Sequence, residues 1–369
     1  MNISEFLNTV TSGGLDDRFR TLYGGGFNNY LHHRARYISA AEKFSWLYPE
    51  CDEIRIISVP QSVMIAGSGN VTLHTSIGMD MVAFVGKSDE KRVSIVNENG
   101  EATEFGPEGT DISDDETSIW CESAAALAVE IPPECGLCVY IFPEITSENL
   151  GMASLLLAGI FNEYTTEKKS MEELAEIAAD VSGSDGRCIN TSLNGGFVLN
   201  DRNEGVSEHI DFDITAAGYT LCICETDETD YGKCVSEYDD EDKFISDLPE
   251  LKKSLGDDDI LVMMNCLDEK KRACDSADAL RNGDTDEFFS IMNEKIFFSS
   301  CSKNALAYYI CKKLLSGSGA VKSELSGKLL VFVPNYNVSE FVERYNGVFG
   351  TDSCRIANLR TEGLCGLIG

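Results

Sequence analysis

Histidine is scarce in this chain, with four in 369 residues, and the scarcity bears first on metal chemistry. His32 and His33 are neighbours in a helical stretch. Adjacent helical side chains point about 100° apart, so the pair does not chelate one ion, and no metal site is expected. Basic residues are also few: 30 Lys and Arg against 62 Asp and Glu, a formal net charge of -32. A surface this acidic repels nucleic-acid backbone and anionic lipid, so neither is an expected partner. The longest strongly apolar stretch, Leu150 to Phe161, is too short to span a bilayer. The opening "MNISEFLNTVTSGGLDDRF" lacks a basic region followed by a continuous apolar one. No signal peptide is therefore expected, and a cytoplasmic location is. On that expectation the fourteen cysteines stay reduced. The sequons at Asn70, Asn190 and Asn337 carry no weight. Cys135-Gly-Leu-Cys138 has no second pair at zinc-finger spacing and reads as core or strand cysteines.

What is present is enough for a sizeable core. Apolar content is ordinary at 43%, and the length favours two domains. Helices are expected near Arg34–Leu47, Ser154–Tyr164, Met171–Val181, Leu261–Arg281, Asp286–Phe298, Ala305–Leu315 and Val338–Tyr345, with another in the middle of the acidic run Asp239–Asp259. Ser170-x-x-Glu173 is a capping box. Strands are expected at Glu53–Val59, Met79–Val85, Arg92–Asn97, "GGFVLND", Tyr219–Cys224, Leu329–Val333 and Arg355–Leu359. Glu101–Glu116 is acidic and glycine-bearing and reads as a surface loop. Strands and helices mix without strict alternation and without internal repeats, which points to an α+β protein.

Several stretches, in order, resemble bacterial galactokinases, within the larger GHMP group of small-molecule kinases. "RARYISAAEKFSWLYPECDEIRIISVP" is similar to the family's N-terminal helix and first strand. "GMDMVAFVGKSDEKRVSIVNENG" resembles its paired strands. "GGFVLND" and "IDFDITAAGYTLCICET" resemble the passage into the second domain. "LDEKKRACDSADALRNGDTDEFFSIMNE" resembles a pair of C-terminal helices. "LLVFVPNYNVSEFVERYNGVFG" with "CRIANLRTEGLCGLIG" resembles the closing strand, helix and strand. The resemblance implies a two-domain α+β GHMP kinase fold. An N-terminal domain of ribosomal protein S5 domain 2-like type would cover 1–205, and a ferredoxin-like C-terminal domain 206–369. ATP and sugar would meet in the cleft between them.

The family's reactive groups do not carry over. After its first strand the family has a proline-glycine-arginine turn and then a sugar-binding run. Here "SVPQSVMIAGSGNVTLHT", Ser58 to Thr75, contains no arginine, lysine or carboxylate. Pro60 remains, Gln61 replaces the glycine, and Ser62 replaces the arginine that would neutralise the transferred phosphoryl group. After Gly67-Ser68 the chain goes straight to Gly69-Asn70-Val71, so the sugar-binding run is missing, and His74 is a remnant expected inside the next strand. The family's phosphate loop maps to Pro143–Ser154, with Ser147, Glu148, Asn149 and Gly151 at its nucleotide-binding positions. Glu144 and Glu148 bring carboxylates to a loop that should face a triphosphate. One like-charge pair 4 Å apart costs about 4 kcal/mol at an effective dielectric near 20. The plainer reading is a helix start capped by Thr146 or Ser147.

Counting back from Gly195-Gly196 puts Cys188 at the position of the catalytic aspartate. Asp185, three residues away, is the substitute candidate; its plain reading is a solvated turn residue. The glycine triplet that closes over the phosphates maps to Lys322, Ser323 and Glu324. The sequence therefore reads as a galactokinase homologue without catalysis, a pseudokinase kept for binding a sugar-like ligand, contacting a protein partner, or regulation. No cofactor is expected on that reading. The alternative is an active ATP-dependent galactokinase or other sugar kinase with a rebuilt site, which would need ATP and Mg2+. A third reading, with Cys188 as nucleophile, lacks a histidine in a recognisable place.

Overall fold

The structure is a computed structural model. It describes the chain apart from residues 25–28, 52, 107–108, 110–118, 145–149, 226–237, 239–240, 295–301, 324–327 and 368–369. Backbone proximity divides it into two compact units. The first comprises Met1–Ser62, Ser76–Gly195 and Arg360–Gly369; the second comprises Val63–Thr75 and Gly196–Leu359. The division differs from the expected single cut after residue 205, because a hairpin tip joins the second unit and the C-terminal segment returns to the first.

The first unit opens with helices that the sequence reading did not expect, α1 (Ile3–Thr11) and α2 (Asp16–Tyr23), followed by α3 (Asn29–Leu47). Asn2 and Glu5 form a capping box on α1. The long strands β1 (Ile54–Ser68) and β2 (Val71–Ser88) come next, then β3 (Val93–Asn97), β4 (Ala102–Phe105), α4 (Ile119–Glu130), β5 (Gly136–Pro143), α5 (Leu150–Tyr164), α6 (Met171–Ser182) and α7 (Gly186–Asn194). β4 occupies part of the expected loop Glu101–Glu116; the rest of that loop falls largely outside the described residues. The Ser170–Glu173 capping box on α6 is present.

The strand order runs β1-β2-β5-β3-β4, with β2 antiparallel and β3 parallel to β5. Side chains alternate across a strand, and here both faces are covered. Met81, Ala83, Val85, Leu137, Val139 and Ile141 pack into a core with α4, α5, α6 and α7. Val82, Phe84, Cys138, Tyr140 and Phe142 pack into a second core with α1, α2 and α3. That double burial is why residues 81–85 of β2 read as an unbroken apolar run.

In the second unit, β6 (Phe197–Asp201) pairs with Val71–Thr75 and with β7 (Val206–Ile210). A separate sheet, in the order β11-β8-β10-β9, is built from β8 (Tyr219–Glu225), β9 (Ala320–Ser323), β10 (Lys328–Pro334) and β11 (Cys354–Ile356). Its helices are α8 (Glu241–Leu251), α9 (Asp257–Arg281), α10 (Thr285–Met292), α11 (Ser302–Leu315) and α12 (Val338–Phe349). Cys222, Cys224, Val331 and Val333 face α11 and α12. Phe332 points the other way, onto Phe288 and Phe289 of α10 at 5.4 and 5.6 Å. The last strand, β12 (Cys365–Gly366), returns to the first unit and pairs with Ile57 and Ser58 of β1. Among the described residues no helix is long and apolar enough to cross a membrane.

Candidate functional site

The stretch that should carry the sugar-binding run is a plain hairpin. β1 continues through Pro60 to Ser68, and only Gly69 and Asn70 separate it from β2. Gly67 sits at φ +120°, and a Cβ there would fall 2.4 Å from Val71 O, so the tight crossing requires glycine. His74 lies buried within β2, opposite Val198.

Ser62 lies on β1 at the edge of the first unit, and in that unit it meets α7. Its hydroxyl hydrogen-bonds the Cys188 thiol. The two positions that counting assigned to the family's arginine and aspartate therefore adjoin in space, but as a hydroxyl and a thiol. Burial pushes the Cys188 pKa up and the Asp185 charge adds to it, while Ser62 and Arg187 pull the other way; the net shift is upward. Burial therefore favours the protonated thiol, which counts against the nucleophile reading.

Asp185 is not the solvated turn residue expected of it. It is the N-cap of α7, accepting from Arg187 N at 3.0 Å. The Arg187 guanidinium then wraps back on it, with Nε 2.8 Å from each carboxylate oxygen and Nη2 also in contact. Arg187 escaped the sequence reading. Its one signal was a cation next to the counted base position in "SDGRC". Further along α7, Thr191 Oγ1 donates to Arg187 O at 2.9 Å, and Ser76 Oγ donates to Thr191 O at 2.8 Å, tying this end of the helix to β2.

Of the phosphate-loop candidates, Ser147, Glu148 and Asn149 lie outside the described residues, and Gly151 is buried in the first turn of α5. Glu144, where the chain leaves β5, corrects an expectation. Its carboxylate turns to Arg36 Nη1 at 3.0 Å and His32 Nε2 at 2.8 Å, and its N–H donates to Asp80 O at 2.7 Å. Its charge is therefore matched by an internal arginine.

That arginine belongs to a buried network. Asp80 and Arg360 are both 0% exposed. Asp80 Oδ2 accepts from Tyr23 Oη (2.6 Å), Ser58 Oγ (2.6 Å) and Arg360 Nη1 (3.0 Å), and Oδ1 accepts from Arg36 Nη1 (2.7 Å). Arg36 Nη2 adds Phe142 O, and Arg360 adds the Glu362 and Gly363 carbonyls. Burial alone would raise the Asp80 pKa; Arg36 and Arg360 outweigh it, and the carboxyl lies below its usual value. His33 stacks on Tyr23 with ring centroids 3.6 Å apart, and burial lowers its pKa to about 3, so it is neutral.

In the second unit, Lys322 of the triplet position is buried in β9 and pairs with Glu269 of α9. Glu269 also accepts from Arg272 at 2.8 Å and from Gly67 N at 3.3 Å. Ser323 is buried in the same strand, and Glu324 lies outside the described residues.

No protein-family model matches the chain, and no curated protein matches its sequence. Solved structures do match its fold. Lactococcus lactis galactokinase complexed with galactose is 15% identical, with a TM-score of 0.63 over 90% of this chain and 99% of that one. Methanococcus jannaschii mevalonate kinase is 11% identical, with a TM-score of 0.54 over 84% and 99%. Mevalonate diphosphate decarboxylase from Staphylococcus aureus is 9% identical, with a TM-score of 0.56 over 85% and 98%. The chain has the two-domain α+β fold of galactokinase and the other GHMP kinases. A fold that also serves a decarboxylase does not by itself assign a reaction.

Proposed function

We propose that this chain is a galactokinase-like protein that does not transfer phosphate and acts as a binding or regulatory module, for a sugar-like ligand or a protein partner. The Ser62–Cys188 pair carries the reading. Phosphoryl transfer depends on positioning and on charge stabilisation. Losing a single transition-state donor typically costs roughly 100- to 1000-fold in rate. A serine hydroxyl and a protonated thiol supply neither a base nor a cation. The test is ADP release by purified protein with Mg2+ and ATP over a panel of sugars and polyols that includes galactose. Release no faster than in a heat-denatured control supports the proposal. Sugar-dependent release that Asp185→Asn abolishes overturns it.

One observation favours the alternative, an active sugar kinase. Asp185 and Arg187 place a carboxylate and a guanidinium within three residues of Cys188. On that reading Asp185 would accept the proton of the attacking hydroxyl and Arg187 would offset charge on the phosphoryl group. Both oxygens of Asp185 already accept from Arg187, so the pair must open before either group serves a substrate. A rise in melting temperature with Mg2+ and millimolar ATP would favour this reading, because a ligand that binds only the native state stabilises it.

A further inference from the structure

Cys138 has a partner that its sequence motif does not suggest. Cys138 lies within β5, and Cys135 comes just before its first residue, Gly136. Cys135 packs against the core under α4, α5 and α6, whereas Cys138 faces the core under α3. There Cys138 meets Cys51, which ends the turn after α3 (Cys51 N to Tyr48 O, 3.2 Å). Glu50, the residue before it, reaches back so that its Oε1 lies 3.9 Å from Cys138 Sγ.

The donor atoms of Glu50, Cys51 and Cys138 all lie within 4.8 Å of one another, the one such group of three or more among the described residues. We propose that these three side chains form a binding site for a thiophilic divalent cation of the zinc class.

The geometry is close to what such an ion requires. Zn–S bonds of about 2.3 Å in a tetrahedral shell place neighbouring donors about 3.8 Å apart. Closing the trio onto an ion therefore needs small side-chain adjustments and no movement of the sheet. Two thiolates and one carboxylate favour zinc over the hard cations Mg2+ and Ca2+, which take oxygen ligands. The backbone leaves room for the trio. Gly86 of β2 is in register with Cys138, and a Cβ there would lie 2.8 Å from both Cβ and Sγ of Cys51. Any larger residue at 86 would push Cys51 out of the group. The thiols are nearly buried, at 7% and 3% exposure, while Glu50 is exposed, so the ion would enter from the Glu50 side. A fourth position stays open to water there. Binding exchanges two thiol protons for the ion, with no change of oxidation state, so affinity should rise with pH. The bound ion would fasten the turn after α3 to the centre of the sheet.

The experiment uses the full chain, reduced and stripped with chelator, then titrated with Co2+ as a spectroscopic stand-in for zinc. The expected result is one Co2+ per chain with strong thiolate-to-cobalt absorption, displaced by Zn2+, and a higher melting temperature with the metal than without it. Cys51→Ser and Cys138→Ser should each abolish the thiolate band. Glu50→Gln, on the surface and harmless to folding, should weaken binding at least about 10-fold. Cys135→Ser and Cys274→Ser should change nothing. The proposal is overturned if the parent shows no thiolate band, if the band persists undiminished in Glu50→Gln and in either cysteine variant, or if protein purified without oxidant carries a Cys51–Cys138 disulfide.

Discussion

Two acid–arginine groups in the first unit differ in what surrounds them. Asp80 is fully buried, takes hydrogen bonds from four side chains on different elements, and faces two arginines. Asp185 is 35% exposed at the side chain and pairs with Arg187, two residues along the chain. The first group ties α2, α3, β1, β2 and the C-terminal segment together, so its charges answer to the fold. The second caps a single helix and pairs with an arginine in that helix's first turn. Charge in a folded chain is costly where it is buried and cheap where it is solvated. The expensive arrangement therefore marks what the architecture depends on, and the cheap one marks what is free to change.

Removing the acid from each group is the strongest way to test that contrast. Asp80→Ala leaves Arg36 and Arg360 buried without their counter-ion. Breaking a buried pair from one side costs about 3–5 kcal/mol, a large part of the ~5–15 kcal/mol that holds a domain. Urea unfolding of the variant should show that loss, or no folded protein at all. A loss under about 1 kcal/mol would mean that the network is not integral to the fold. The pH dependence has a definite sign. The Asp80 pKa in the folded state lies below its ordinary value of 3.8, so its contribution is full above that value and is lost as the pH falls through the lower folded one.

His33 gives a second effect from the same region, spread over a range of pH. Its folded pKa of about 3 lies below the ordinary 6.5. The unfolded chain takes up a proton below pH 6.5 that the folded chain refuses until about pH 3. Stability is therefore full above pH 6.5 and falls on acidification through that window, by up to about 1.4 kcal/mol per pH unit. His33→Phe keeps a ring against Tyr23 and has nothing to protonate. The difference in unfolding free energy between parent and variant should vary with pH by that slope between pH 6 and 4. An unchanged difference would show that the imidazole is not held neutral.

How far these features were legible in the sequence follows from the range of the interactions. Helices with a capping signal or one apolar stripe, such as α6, were readable from neighbouring residues. β2 was read too short, as Met79–Val85, because residues 71–78 include Thr72, His74, Thr75 and Ser76, polar residues that the fold nevertheless buries. α7 went unread because it is short and mostly polar, with Ile189 and Leu193 as its buried apolar residues; its start signal is the Asp185 cap. The adjacency of Ser62 and Cys188 could be reached by counting against the galactokinase pattern. The Asp80–Arg360 pair joins residues 280 positions apart, and no periodicity encodes it. Its one trace was a lone acid inside the apolar run "IGMDMVAF".

The smallest expected effect separates the two jobs of Asp185. Asparagine is as good an N-cap as aspartate, so Asp185→Asn keeps the hydrogen bond to Arg187 N and loses only the charge. A partly exposed ion pair is worth about 0–1 kcal/mol, and unfolding should move by no more than that. Asp185→Ala removes the cap as well and should cost about 0.5–2 kcal/mol. If Asn and Ala cost the same, the hydrogen bond at the helix start contributes nothing and the ion pair carries the whole effect. If Asn costs several kcal/mol, Asp185 is coupled to its surroundings as tightly as Asp80 is, and the contrast between a committed charge and an idle one fails at the position where the kinase reading needs an available base.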